Sequence, residues 1–338
     1  MGERKSRVEI MERLTILIAG GTGFIGSNLV HFFLNQGHEV AATIRDQSNL
    51  CRLSDLLNDI EFFKLDIINR EKINDAFNSF KPDVVINTIA YGGYHFETDS
   101  GRIFDNNFYG TMNLVEAYIN SNAELLINTG SSSEYGFKNH PMSEQDILEP
   151  LGSYAVSKAV ATLYSRSRSI ETERKIVTLR LFSAYGEFEE PHRLVPYLVT
   201  TSIRGRTAKL NDPNNVRDFI YVKDICNAYM NLIERQAKIG FGEIFNLGSG
   251  IESKVGEIVD IIEKISGKKL KVEWKYSDER KGDKALRWLA EMSKMEEILN
   301  WRPKYSLENG LFTTYSWMEK NIEKYEVIEN SKLRNVGK

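Results

Sequence analysis

The chain has 338 residues, 41% of them hydrophobic, enough for one large domain or a domain with a substantial lobe. Lysine and arginine number 44 against 47 aspartates and glutamates, and this balance lacks the basic excess of a nucleic-acid surface. No apolar run approaches the ~20 residues that span a bilayer, so no membrane partner is expected.

The opening stretch MGERKSRVEIMER is charged and has no apolar centre, so it does not read as a secretory signal. Cytoplasm is the expected compartment, and Met11 is an alternative start with 1–10 as an extension. Cys51 and Cys226 stand far apart and outside any CxxC pair, which predicts free thiols. His31, His38, His95, His140 and His192 are scattered without metal-ligand spacing, so no metal site is expected.

The first half alternates short apolar strands with helical patterns. LTILIAG (14–20) predicts a buried strand ending on glycine, and SNLVHFFLNQG (27–37) a helix stopped by glycine. EVAATI, IEFFKLDI and PDVVINTIA predict the second, third and fourth strands, with REKINDAFNSF as a helix before the fourth. NNFYGTMNLVEAYINSN predicts a long helix, AELLINTGSS the fifth strand, and SYAVSKAVATLYSRSRSIETE another helix. KIVTLRLFSAYG predicts a sixth strand running into a loop. Strict β–α alternation implies an α/β fold, a Rossmann-type doubly wound parallel sheet covered on both faces.

Beyond about residue 186 the pattern changes to helices with short strands between them. The expected division is a dinucleotide-binding domain at 14–186 and a smaller mixed α/β substrate lobe at 187–320. Within that lobe, DFIYV and EIFNLG (segments near 216–246) are candidates for returning to the main sheet. The tail from 307 predicts one helix fraying into a polar end.

GGTGFIG follows the first strand and opens the first helix, with Gly20, Gly23 and Gly26 in GxxGxxG spacing. Such a turn brings backbone N–H groups of the Gly23–Phe24–Ile25 stretch toward a pyrophosphate at a helix N-terminus. A ligand-free glycine turn is the alternative, but the position between strand and helix favours a dinucleotide. In such folds a carboxylate at the end of the second strand binds the ribose hydroxyls of NAD, whereas a basic group accommodates the 2′-phosphate of NADP. Here that strand ends on Ile44-Arg45, and a guanidinium forks well onto phosphate, so NADP (NADPH) is expected and NAD is the alternative. Asp46, one residue on, competes for the ribose, and Arg45 also reads as an exposed surface arginine. Asp66-Ile67, after the third strand, are expected beside the adenine.

GSYAVSKAV places Tyr154 and Lys158 four apart, on one face of a helix. An ammonium near a phenol favours phenolate, which equips the tyrosine to exchange a proton with a substrate oxygen during hydride transfer. Taken alone, YxxxK is a common coincidence. Upstream, TGSSSEYG brings Ser131, Ser132 and Ser133, whose hydroxyls are suited to a substrate carbonyl.

With these residues assembled, the chain resembles the extended short-chain dehydrogenase/reductase family (the NAD-dependent epimerase/dehydratase type), in particular its nucleotide-sugar-modifying members. The resemblance runs from residue 14 to about 311 and is carried jointly by GGTGFIG, NNFYGTMNL, SSSEYG, YAVSK, RLFSAYG, RDFIYVKD and ERKGDKALRWLAEMSKMEEILNWRP. It implies Tyr154 as proton donor, Lys158 as the group orienting it and the nicotinamide ribose, and Ser131 as the catalytic hydroxyl. Asn107 matches the family's helix asparagine. Arg217 and Arg280 match arginines that hold the substrate diphosphate, a job two guanidiniums suit. Tyr91 and Tyr94, just past the fourth strand, read equally as sugar-pocket walls or loop packing, and His192 and Arg193 as base or sugar contacts or a solvated loop.

Among the family's reactions, 4,6-dehydration uses an Asp-Glu pair directly after the catalytic hydroxyl, where this chain has Ser132 and Ser133. Glu134 is one position off. 4-Epimerases retain NAD and show the acidic residue that Arg45 replaces, and many have Asn at the position of Ser183. The expectation is therefore an NADPH-dependent 4-ketoreductase acting on a nucleotide-diphosphate 4-keto-6-deoxysugar (CDP-, dTDP- or GDP-linked). The alternatives are an NAD-dependent 4-epimerase, behind it a 4,6-dehydratase, and, from another class, a non-catalytic NADP-binding regulatory protein. The resemblance also implies a homodimer through the 107–120 and 154–168 helices, forming a four-helix interface.

Overall fold

The computed structural model describes residues 13–94, 96–275 and 287–328. Arg280, and part of the motif that carries it, lie outside the described residues. Strand β1 (Thr15–Ala19) leads through the glycine turn into helix α1 (Phe24–Asn35), and β2 (Glu39–Ile44) follows. Then come β3 (Glu61–Lys64), α2 (Arg70–Phe80), β4 (Val84–Asn87), α3 (Ser100–Phe104) and α4 (Gly110–Ile119). The Rossmann-type half continues with β5 (Leu125–Ser131), α5 (Gly152–Thr172) and β6 (Ile176–Leu181).

The expected long helix around Asn107 is two helices joined by a π-helical turn, Asp105–Tyr109. Asn107 sits in that turn. Its amide donates to the Tyr91 carbonyl at 2.8 Å and to Ser157 Oγ at 2.9 Å, and its oxygen accepts the Tyr91 N–H at 2.8 Å. One side chain thereby ties the loop after β4 to α5, and the widened turn gives it the reach.

Seven parallel strands form the main sheet in the order β10-β6-β5-β4-β1-β2-β3, where β10 is Ile244–Leu247. The order reverses between β1 and β4, the switch point where a crevice opens at the strands' carboxyl ends. Alternation along the strands feeds two cores. Ile16, Ile18, Ile86 and Ile127 pack on one face with Leu29, Val30 and Phe33 of α1. Leu17, Val85 and Leu126 pack on the other with Phe77 of α2 and Leu114 of α4.

The predicted sixth strand is interrupted at Phe182. After β6 the chain leaves the main sheet and makes β7 (Ser183–Tyr185), which begins a smaller sheet. Helix α6 (Leu194–Arg204), strand β8 (Thr207–Leu210), strand β9 (Val216–Tyr221) and helix α7 (Val222–Glu234) precede β10. After β10 come β11 (Glu252–Lys254), α8 (Val255–Ser266), β12 (Lys271–Trp274), α9 (Ser293–Leu299) and α10 (Leu307–Lys320). Of the two segments considered for the main sheet, EIFNLG joins it as β10, but DFIYV does not. It forms β9, between β7 and β11. A third core of Leu198, Val199, Ile258, Ile262, Leu311 and Tyr315 holds these elements together. The tail is helical to Lys320 and again over 322–328. No helix among the described residues is long and apolar enough to cross a membrane.

Candidate active site

A cleft of about 1500 Å³ lies at the switch point, between the parallel sheet and the smaller sheets. Pockets for one drug-sized molecule run to roughly 1,000 Å³, so this cleft has room for a dinucleotide and a second ligand together.

At one end stands the glycine turn. Gly20 has φ +84°, a conformation that L side chains rarely adopt, and a Cβ on Gly26 would collide with the Gly20 carbonyl. These two glycines lie beneath the turn and let α1 start close to β1. Gly23, Phe24 and Ile25 face the cleft, and no side chain caps α1. Its first-turn amides are therefore left for an anionic ligand, a cradle that fits the pyrophosphate of a dinucleotide.

Arg45 lines the same end, together with Gln47, Ser48 and Asn49. Asp46 does not. It is exposed and pairs with Lys64 at 2.5 Å, across the strand pair β2–β3. Asp66 and Ile67, expected beside the adenine, follow the end of β3, at the carboxyl edge of the sheet. Strand β3 ends at Lys64, three residues before the end of the predicted IEFFKLDI segment. Asp66 then turns back to accept the Ile68 N–H, and Ile67 is buried under Gly110.

At the other end, β5 delivers Ser131 and α5 delivers Tyr154 and Lys158, all on the cleft wall. Ser131 caps the short 3-10 turn Ser132–Tyr135. Its Oγ lies 2.7 Å from Ser133 Oγ and accepts the Ser133 N–H at 3.2 Å. Burial pushes the Tyr154 phenol above its ordinary value, opposed by the Ser131 side chain and then by the charge of Arg193. Lys158 is buried, and its amine donates to the Thr129 carbonyl at 2.5 Å. Desolvation pulls its pKa down to about 8, with the Glu134 carboxylate opposing.

Glu134 is fully buried. It accepts the Ser131 N–H at 2.8 Å, the Thr162 hydroxyl at 3.0 Å and Arg180 Nε at 2.8 Å. It thus points behind the cleft, where it fixes the backbone of Ser131. An arginine inside the apolar strand TLRLF was the sequence signal for this pair, because a buried guanidinium demands a partner.

Tyr91, Ser132, Ser133, Ser183 and Arg217 also reach the cleft. Ser132 Oγ accepts the Trp288 indole N–H at 2.9 Å, and the Arg217 guanidinium lies 5.8 Å from the Trp288 ring centre. Trp288 gave no warning in sequence. Nor did Arg52, which is buried and joins the two halves of the cleft. It donates to the Phe188 carbonyl at 2.9 Å and the Thr22 carbonyl at 3.2 Å, and pairs with Glu190 at 3.0 Å.

A doubly wound sheet, a glycine turn at its switch point and a Ser–Tyr–Lys set facing it define a dinucleotide-dependent enzyme. The NAD dependent epimerase/dehydratase family matches residues 16–248, and the chain belongs to that family. Over 325 residues it is 29% identical to a UDP-glucuronate 4-epimerase of Thermodesulfobacterium geofontis, covering 93% of this chain and 98% of the relative. Among solved structures it is similar to a dTDP-glucose 4,6-dehydratase from Bacillus anthracis in complex with NAD (TM-score 0.83, 27% identity, 93% of this chain and 99% of that one). It is also similar to a UDP-glucose 4-epimerase with UDP-glucose from Thermotoga maritima (TM-score 0.82, 26% identity, 91% and 100%).

Proposed function

We propose that the chain transfers hydride reversibly at C4 of a nucleoside-diphosphate hexose, and that its reaction is 4-epimerisation. The observation that carries this reading is the convergence of Ser131, Tyr154 and Lys158 on one wall, with the hydroxyls of Ser132 and Ser133 at the positions next to Ser131. The bound nicotinamide dinucleotide would accept and return the hydride. Tyr154 Oη takes the C4 hydroxyl proton as the sugar is oxidised and gives a proton back as the ketone is reduced. Ser131 Oγ donates to the same sugar oxygen. The Lys158 amine, anchored on the Thr129 carbonyl, fixes the electrostatics on the inner side of the phenol. Arg217, on the cleft wall, is placed to meet a substrate diphosphate.

Elimination of water needs a further acid and base at the sugar. Serine hydroxyls do not supply them at neutral pH, and Glu134 is engaged by Arg180 behind the wall. Dehydration is disfavoured on that ground, although a dehydratase is among the similar structures.

Epimerisation stands ahead of the 4-ketoreductase expected from sequence because the similar proteins include 4-epimerases of UDP-sugars and structures that hold NAD. Reduction of a 4-keto sugar by NADPH remains a second reading, favoured by one observation. Arg45 faces the dinucleotide end of the cleft while Asp46 is turned away onto Lys64. One experiment separates them: denature the purified protein, identify any dinucleotide released, and incubate the native protein with UDP-glucose, UDP-glucuronate and UDP-xylose. Retained NAD with inversion at C4 supports the epimerase. Exchangeable NADPH, consumed only with a nucleotide-linked 4-keto-6-deoxysugar, replaces it with the reductase.

A further inference from the structure

Arg193 precedes α6, in the loop that carries the smaller lobe over the cleft. Its Nη2 donates to the Gly93 carbonyl at 3.2 Å, and its guanidinium lies 4.8 Å from the centre of the Tyr94 ring. A Cβ built on Gly93 would lie 3.4 Å from Arg193 Nη2 and 3.9 Å from Tyr154 Cε2. Both groups therefore lie within 4 Å of one point, and the missing side chain of Gly93 leaves the space between them clear.

Several charged or titratable groups face Tyr154. Ser131 approaches from β5 and Lys158 from the next turn of α5. Glu134 lies behind the wall, paired with Arg180. Glu97 comes from the loop after β4, its carboxylate accepting the Gly92 N–H at 2.8 Å. Arg193 comes from the lobe. The buried Glu189 also acts on Arg193, its carboxyl pushed well above the carboxylate range by desolvation. Of the two cations, Lys158 titrates near pH 8, whereas a guanidinium stays charged throughout the working range.

We infer that Arg193 is a positioning residue for proton transfer: its permanent charge, brought by the lobe to the edge of the Tyr154 ring, stabilises the phenolate. The inference rests on Tyr154 being the proton carrier. It makes the tyrosine's readiness to act as a base depend on the lobe's loop as well as on its own helix. The cleft is open to water, which screens the pair and holds the expected effect near one pH unit rather than several.

The test needs no substrate. Phenolate absorbance is followed against pH in the wild type and in Tyr154→Phe, and the difference isolates Tyr154. The same subtraction is made with Arg193→Gln, Arg193→Met and Arg193→Lys backgrounds, each checked for folding by circular dichroism. The expected result is a rise of about one pH unit in the Tyr154 midpoint with Gln or Met, recovered with Lys. An unmoved midpoint in Gln and Met overturns the inference, whatever happens to ligand affinity. A wild-type Tyr154 that stays neutral until the protein unfolds overturns it too. Failure of the epimerase reading shows up separately, as absence of turnover with UDP-sugars.

Discussion

Lys158 carries an electrostatic cost that a pH series can expose. Its buried amine has a pKa of about 8, against an ordinary value of 10.5. Below pH 8 both folded and unfolded chains hold the proton, and the folded state bears the full cost of burying the charge. Between about 8 and 10.5 the unfolded chain still holds a proton that the folded chain has released, so stability rises with pH across that window. Lys158→Met has no such proton. Urea denaturation of both proteins should show the wild type gaining on the variant from pH 8 upward, by about 1.4 kcal/mol per pH unit at most. A constant difference over that window would mean the amine is not desolvated in the folded protein. Tyr154→Phe removes the proton carrier without removing the ring. Turnover of the UDP-sugar should fall by about 10²- to 10⁴-fold, while dinucleotide affinity stays within a few-fold, read by fluorescence titration.

Among the elements, the turn after β5 depends on a single buried pair. Glu134 holds the Ser131 N–H with one oxygen and Arg180 with the other. Truncation leaves the Arg180 guanidinium uncompensated in the core. Glu134→Ala should therefore cost about 3–5 kcal/mol in chemical denaturation, and turnover should fall with it because Ser131 loses its backbone anchor. Adding Arg180→Leu should restore part of the stability and none of the turnover, a split that separates folding from geometry. The position of Ser131 at a strand end was legible in sequence, because AELLINTGSS is apolar up to its glycine and polar after it. The end of β3 was not: apolar FFKLDI continues past the last paired residue, and only the ladder with β2 shows that pairing stops at Lys64. The same holds for DFIYV, since an apolar run says that a strand is buried and not which sheet it joins. Tyr154 and Lys158 were legible because one helix carries both. Sequence does not decide between ligand contact and solvated loop for Arg193, because its neighbours, Gly93 and Tyr94, are remote in the chain.

At the scale of the whole molecule, one face is left without a covering element among the described residues. Along α5, Leu163 is 53% exposed and Ile170, seven residues on and hence on the same side, is 49% exposed. Tyr109, where the π-helical turn meets α4, is 46% exposed. The inner side of these helices is already committed. Glu116 of α4 accepts from Tyr164 and Arg168 of α5 at 2.6 and 2.7 Å, which fixes the two helices as a rigid pair. A rigid helix pair with apolar residues facing outward suits a two-fold interface, in which the same pair from a second copy completes a four-helix bundle. Ser131, Tyr154 and Lys158 come from the strand and helix behind that face, so a dimer would brace the site without entering it. Leu163→Glu combined with Ile170→Glu places four like charges in the proposed interface. The wild type should sediment as a dimer and the double variant as a monomer in analytical ultracentrifugation, with the monomer still binding dinucleotide. A wild type that sediments as a monomer at micromolar concentration would rule the interface out and leave the exposed face to another partner.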